Sequence, residues 1–242
     1  MNEDTVFADR LENVKQRIAA ACARVGRSPD EVTLLAVSKT FPFSRIEEAY
    51  AAGQVHFGEN YIQDFIDKIE LAKCRSLPLK WHFIGHLQSN KVKYFNSGFF
   101  LFHGLDSEKL AHRIAKQAVA GGFKARVLVQ VNIGNEESKA GIAPACLFDF
   151  LKKVRYIEGL SIVGLMAIPP AVADAEESRP WFQALAQLFH RAQAEIFSGC
   201  SEFQEISMGM SSDFEVAVEE GATIVRVGSL LFGQRTKKVV SN

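Results

Sequence analysis

The chain has 242 residues, of which 48% are hydrophobic and 23% charged, the make-up of a globular protein with a large core. Its 28 basic and 28 acidic side chains cancel, which gives no basis for long-range attraction to nucleic acid or to an anionic membrane, so any anionic ligand must be held locally. Residues 1–26 lack the basic and apolar regions of a signal peptide, no apolar run approaches the roughly 20 residues of a membrane helix, and the four cysteines form no C-x-x-C pair. A cytoplasmic, monomeric protein with reduced thiols and no metal site is expected.

Residues 1–26 carry a helical pattern that stops near Gly26. From there short apolar, β-branched runs alternate with longer amphipathic segments, the rhythm of βαβ units. The runs predict strands over 32–39, 54–60, 80–86, 100–106, 125–133, 160–168, 203–209 and 223–228. Helices are predicted between them. The segment 107–122 places Leu110, Ile114 and Ala118 on one face before a Gly121-Gly122 stop, and 177–197 does the same with Phe182, Leu185 and Phe189. Eight strands, each followed by a helix and with no Pro/Ser-rich linker, predict an α/β fold: a single (β/α)8 TIM-type barrel over 1–242, with helix 1–26 packed on it as an N-terminal addition. An open doubly wound sheet is the alternative.

In a parallel barrel the active face lies at the C-terminal strand ends, and here those ends are polar: Ser38-Lys39, Glu59-Asn60, His86, Asp106, Asn132 and Ser207. Lys39 follows an apolar run, so burial should lower its pKa toward the range in which a free amine attacks an aldehyde to form a Schiff base. A lysine snorkelling to solvent is the alternative. Ser212-Asp213-Phe214-Glu215 reads as a capping box opening a helix after the seventh strand, and Gly228-Ser229 ends the eighth, the two loops that form the usual phosphate site of this fold. Arg226 alternates with Ile224 and Gly228, so all three should face the lumen, where the guanidinium needs an anion, a ring nitrogen or a salt bridge to Glu59 or Asp106. His82, His86 and His103 lack an accompanying carboxylate and a metal-binding pattern, which favours local hydrogen bonding over a metal set.

Several blocks, in order, then identify a resemblance: LLAVSKT (34–40), HFGENYIQD (56–64), WHFIGHLQSNK (81–91), VNIGNEESKAGI (131–142), GLMAI (164–168), SMGMSSDFEVAVEEG (207–221) and VRVGSLLFG (225–233). Across nearly its whole length the chain resembles the pyridoxal phosphate homeostasis proteins, which are related in fold to the alanine racemase N-terminal domain. The resemblance implies pyridoxal 5′-phosphate (PLP) as cofactor, carried as a Schiff base on Lys39. It implies phosphate binding by Ser207, the Met210-Ser211 loop, Gly228 and Ser229, Arg226 at the pyridine nitrogen, and Asn60 and His82 close by. Position 229 carries serine where the family more often has threonine, which keeps the hydroxyl and removes a methyl. Arg226 facing the ring nitrogen would donate a hydrogen bond and leave that nitrogen unprotonated, a poorer electron sink.

The implied function is PLP homeostasis, influencing vitamin B6 and amino-acid pools without efficient catalysis and with PLP-dependent apoenzymes as acceptors; no residue is assigned a catalytic role. A PLP-dependent amino-acid racemase is the alternative, but the similar racemases take a second acid/base from a tyrosine in a further domain. Here the chain ends at Asn242, and Tyr50, Tyr61, Tyr94 and Tyr156 precede or sit in helical patterns. A phosphate-binding barrel with an aldolase-type lysine is the third possibility.

Overall fold

The structure is a computed structural model that describes residues 3–136 and 139–233. Met1, Asn2 and residues 234–242, the ends of the expected 1–242 unit, lie outside them, as do Glu137 and Ser138 of the 131–142 block.

Helix α1 (Glu3–Arg24) is set by a stripe of Phe7, Leu11, Val14, Ile18 and Cys22, all buried. Eight strands follow: β1 (Thr33–Val37), β2 (His56–Glu59), β3 (Lys80–Phe83), β4 (Phe99–Leu105), β5 (Ala125–Val131), β6 (Leu160–Ala167), β7 (Glu205–Met210) and β8 (Ile224–Val227). They are parallel, hydrogen-bonded in chain order, and β8 returns to β1 to close the barrel, with Leu35 opposite Arg226. The helices α2 (Phe43–Ala51), α3 (Ile62–Cys74), α4 (Glu108–Ala120), α5 (Leu147–Val154), α6 (Arg179–Glu195), α7 (Phe214–Glu219) and α8 (Ser229–Phe232) lie in the connections. The barrel expected from the alternation is therefore found, and the open sheet is excluded.

Two local expectations change. No α-helix links β3 to β4; a 3-10 segment, Ser89–Tyr94, takes its place. The stretch is bracketed by turn residues, and the Asn96 side chain accepts from the Gly98 N–H at 2.8 Å, which folds the chain back before a helical stripe can form. All strands but β7, which runs one residue past its predicted end to Met210, also stop short of those ends: β1 ends at Val37, because Phe41 N–H bonds to the Ser38 carbonyl in a tight turn with Thr40 at φ 71°.

The outer core is dominated by aromatics. Phe65 on α3 packs against Phe99, Phe83 and Trp81 with ring centroids 4.4, 5.3 and 6.2 Å apart. Inside the barrel Leu35, Leu101, Leu128, Val163, Met166 and Ile224 form a separate apolar plug. Helix α1 packs against α7, α8 and α2. Phe7 meets Phe232 at 5.2 Å, Arg17 binds Glu215 through two nitrogens, and Arg27 donates to the Val218 and Ala222 carbonyls at 2.7 and 3.1 Å.

The turn from β7 into α7 depends on Gly209. Its φ is 85°, and a Cβ there would stand 2.5 Å from the Ala217 Cβ. Gly26 has a similar φ of 70° but open space around it. Gly209→Ala should therefore lose more stability in urea than Gly26→Ala, both carrying a left-handed backbone cost of about 1–3 kcal/mol and only the first a core clash. Equal losses would mean that α7 shifts freely and that the turn is not fixed by packing.

Candidate functional site

Strand parity decides what the barrel presents at its C-terminal mouth. Leu35 belongs to the interior plug, so Val37 and Lys39 point inward above it; on β8 Ile224, Arg226 and Gly228 share the inner face. Val37, Lys39, Arg226 and Gly228 meet in a cavity of about 480 Å³, completed by Asn60, Met166 and the Met210–Ser212 turn.

Lys39 is half-buried, and its backbone is held on several sides. Ser38 N–H donates to the Gly58 carbonyl at 3.0 Å, and the Ser38 hydroxyl donates to Glu59 Oε1 at 2.7 Å. Lys68, on α3, donates to the same Glu59 oxygen at 2.6 Å and to the Ser38 carbonyl at 3.0 Å. Burial pushes the Glu59 carboxyl above the usual range, against the pull of Lys68 and the Ser38 hydroxyl. Glu59 Oε2 finds no hydrogen-bond partner among the described residues. Lys68 was not singled out from the sequence, although it interrupts the apolar stripe of Phe65, Ile69 and Ala72, and that interruption was the available signal.

Arg226 is 4% exposed. It donates from one terminal nitrogen to Ser207 Oγ at 2.8 Å and from the other to the Ala167 carbonyl at 3.0 Å. Neither Glu59 nor Asp106 is its partner: Glu59 serves Lys68, and Asp106 faces His86 at 3.6 Å. Burial lowers the arginine to about 10, so it stays cationic at neutral pH. Each terminal nitrogen keeps a second N–H for the cavity.

Two expected site residues lie elsewhere. Ser207 is fully buried beneath Arg226, and its Oγ lies 3.0 Å from His103 Nδ1; it does not line the cavity. His82 is likewise internal, between His56 and His103 at 2.9 Å to each. Both sit one or more inward-facing positions below their strand ends, a depth that strand length alone left undetermined. Burial holds His82 and His103 well below the ordinary imidazole range and so neutral, and His56 is lowered to about 4 by burial and Lys80. His86 is exposed and apart from them, and the expected local hydrogen bonding of the strand histidines is observed.

The capping box is also replaced. Asp213 starts α7 without capping it; its carboxylate accepts from the Met210 N–H at 2.7 Å and from the Ser178 hydroxyl at 3.1 Å. Glu215 turns to Arg17 instead of closing the box. The result fastens the Met210–Ser212 turn, and Ser211 Oγ accepts from the Gly228 N–H at 3.2 Å, tying it to the end of β8. Lys39, Asn60, Met210, Ser211, Arg226, Gly228 and Ser229 line this one cavity. Phe41, Ile84, Gly85, Ile168 and Gly233 complete the wall and were not foreseen. Among the described residues no group of three or more His, Cys, Asp or Glu could hold a metal ion, and no helix is long and apolar enough to cross a membrane.

Comparison with known proteins agrees with the fold. Residues 10–236 match the family model of the alanine racemase N-terminal domain. A pyridoxal phosphate homeostasis protein of Aquifex aeolicus is 44% identical over 227 residues, covering 94% of this chain and 97% of that one. The solved structure of PipY from Synechococcus elongatus with PLP bound superposes with a TM-score of 0.75 at 39% identity, covering 89% of this chain and 100% of that one. Alanine racemase from Corynebacterium glutamicum, at 13% identity and TM-score 0.68 over 98% of this chain and 64% of its own, shares the fold. With a family-model match over most of its length and a 44% identical relative matched nearly end to end, the chain belongs to the pyridoxal phosphate homeostasis protein family.

Proposed function

We propose that this chain binds PLP reversibly as a Schiff base on Lys39 and acts in PLP homeostasis as a cytoplasmic, monomeric, single-domain carrier, influencing vitamin B6 and amino-acid pools without efficient catalysis of its own. The observation that carries the proposal is the convergence of Lys39 and Arg226, from adjacent strands, on one cavity edged by serine hydroxyls.

The residues present fit the cofactor. Asn60 Oδ1 is buried at the cavity with no hydrogen-bond partner among the described residues, an acceptor that a bound polar group would satisfy. When bound, PLP supplies an aldehyde that condenses reversibly with a primary amine. Lys39 provides that amine. Arg226, cationic and unable to accept, donates to the ring nitrogen and leaves it unprotonated. Ser211, Ser229 and the backbone of Met210 and Gly228 hold the phosphate. Ser207 and His82 act from beneath, through Arg226. Ile168 and Met210 stand exposed at the cavity, which leaves an acceptor apoenzyme a route to the ligand.

What supports holding over chemistry is the composition of the wall. Among the described residues lining the cavity there is no tyrosine, histidine, cysteine or carboxylate, so no second acid/base stands ready beside Lys39. Positioned acid/base catalysis is worth about 10²–10⁴ in rate.

Borohydride reduction of the PLP-loaded protein should fix the cofactor to Lys39, and Lys39→Ala should abolish the adduct seen by peptide mass spectrometry while retaining the fold. An adduct of equal yield on another lysine would remove Lys39 from its role. Ser211→Ala combined with Ser229→Ala should weaken retention on dialysis, each hydroxyl contributing about 1.5–3 kcal/mol toward a charged acceptor; unchanged retention would place the phosphate elsewhere. Stoichiometric protein in D2O should exchange the α-hydrogen of L- or D-alanine no faster than free PLP does. Exchange with inversion, well above that rate and lost in Lys39→Ala, would establish the racemase instead.

A further inference from the structure

Arg226 is the upper end of a continuous chain of side-chain contacts that descends through the lumen. Arg226 Nη1 meets Ser207 Oγ at 2.8 Å, Ser207 Oγ meets His103 Nδ1 at 3.0 Å, His103 Nε2 meets His82 Nδ1 at 2.9 Å, and His82 Nε2 meets His56 Nδ1 at 2.9 Å. Side chains on four further strands are enlisted, on β7, β4, β3 and β2. Ser207, His82 and His103 are at most 1% exposed, so no solvent arbitrates the direction of these bonds.

The direction follows from one end. A guanidinium has only N–H donors, so Ser207 Oγ accepts from Arg226. The serine hydroxyl must then place its own proton. Among the described residues its remaining hydrogen-bond neighbour is His103 Nδ1, so the hydroxyl donates there and Nδ1 is unprotonated. A neutral imidazole with a bare Nδ1 carries its proton on Nε2, and His103 Nε2–H therefore donates to His82 Nδ1. The same step repeats: His82 Nε2–H donates to His56 Nδ1, and His56 carries its proton on Nε2. The opposite polarity would have both Arg226 and His103 donating to Ser207, leaving a buried hydroxyl proton unsatisfied, a desolvation penalty that the exchanged bond does not offset.

We propose that His103, backed by His82 and His56, is a positioning residue for Arg226: all three imidazoles are locked as Nε2–H tautomers, and through the Ser207 hydroxyl they aim the guanidinium at the cavity. The chain matters because Ser207 alone can rotate its proton. With His103 Nδ1 as a fixed acceptor, the hydroxyl's lone pairs are directed at Arg226, whose other terminal nitrogen is held by the Ala167 carbonyl. The guanidinium plane is then fixed at both nitrogens, and the remaining N–H groups are presented to whatever occupies the cavity. Burial, which keeps His82 and His103 neutral, is consistent with this, because a protonated imidazole would donate from both nitrogens and break the sequence.

The tautomers are tested on the cofactor-free protein. Two-bond ¹⁵N–¹H correlation of ¹⁵N-histidine protein, assigned by single substitutions among the six histidines, should show Nε2–H with bare Nδ1 for His56, His82 and His103, with slowly exchanging protons on the last two. A proton on His103 Nδ1 would overturn the assignment. The positioning role rests on the proposed PLP reading and is tested separately with PLP. His103→Asn places an amide oxygen near the Nδ1 position, whereas His103→Leu removes the acceptor. His103→Leu should raise the PLP dissociation constant by about tenfold, the scale of one hydrogen bond to a charged group. His103→Asn should recover most of that loss although both variants lose comparable stability in urea. Equal affinities for the two variants would reduce His103 to a packing residue. Failure of covalent capture by Lys39 would leave the tautomer result standing, so the two readings fail independently.

Discussion

A guanidinium taken out of water must donate to something, and that requirement at Arg226 organises the interior of this barrel. Arg226 stands almost fully buried on β8, and among the described residues no carboxylate pairs with it: its bonds go to the Ser207 hydroxyl and the Ala167 carbonyl, with Asp213 acting only at a distance. Partners without charge leave the guanidinium's positive field unspent. A salt bridge to Glu59 or Asp106 would have neutralised it inside the protein. The barrel instead spends its acidic groups elsewhere, Glu59 on Lys68 and Asp106 toward His86, so that the cation's field is directed into the cavity.

The second buried cation is used in the opposite way. Lys68 is paired with Glu59 and clamps the Ser38 carbonyl, the peptide immediately before Lys39. A buried ion pair is weak evidence for net stability, since desolvation of both ions offsets much of their attraction. Its geometric effect is clearer. With Ser38 hydrogen-bonded through its N–H, hydroxyl and carbonyl, the strand end cannot slide, and Lys39 leaves it on the inward side in the same register as Leu35 and Val37. One cation is silenced to hold the lysine in place while the other is left active to meet a ligand.

Parity is what made these two residues legible before the structure. On a strand of a closed barrel, alternate residues face inward, so an apolar run ending in Lys39 and the spacing Ile224, Arg226, Gly228 each imply a lumen position. Parity does not give height. Ser207 and His82 have inward-facing positions like Arg226, but the strands end higher than they do, and they lie under the cavity floor. The capping box failed for a different reason: Asp213 had two better partners, the Met210 N–H in its own turn and Ser178 from the distant 3-10 segment before α6, and a local motif cannot register the latter. The missing helix between β3 and β4 was readable in part, from Asn96 and Gly98, but the eightfold rhythm outweighed it. Lys68 was hidden by its helix, where a long side chain in an apolar stripe is ordinarily solvated at its tip.

The distribution of polar chemistry across the barrel bears on what kind of PLP protein this is. Titratable side chains other than Lys39 and Arg226 are absent from the described cavity wall, yet three imidazoles and a serine are stacked directly beneath it. Groups placed to exchange protons with a substrate would stand at the wall, with pKa values near neutrality. These stand behind it, held neutral by burial, and their bonds run to one another and to the guanidinium. Such an arrangement cannot shuttle a proton to a substrate carbon, because every step would require a charged imidazole in a fully desolvated lumen. It can hold Arg226 rigid. If PLP binds as proposed, a fixed donor opposite the ring nitrogen would suppress the electron-sink character that carbanion chemistry needs, most effectively when the donor cannot rotate away. On the proposed reading the buried histidines serve the holding of the cofactor, which is the property a carrier has to secure and a catalyst has to relax.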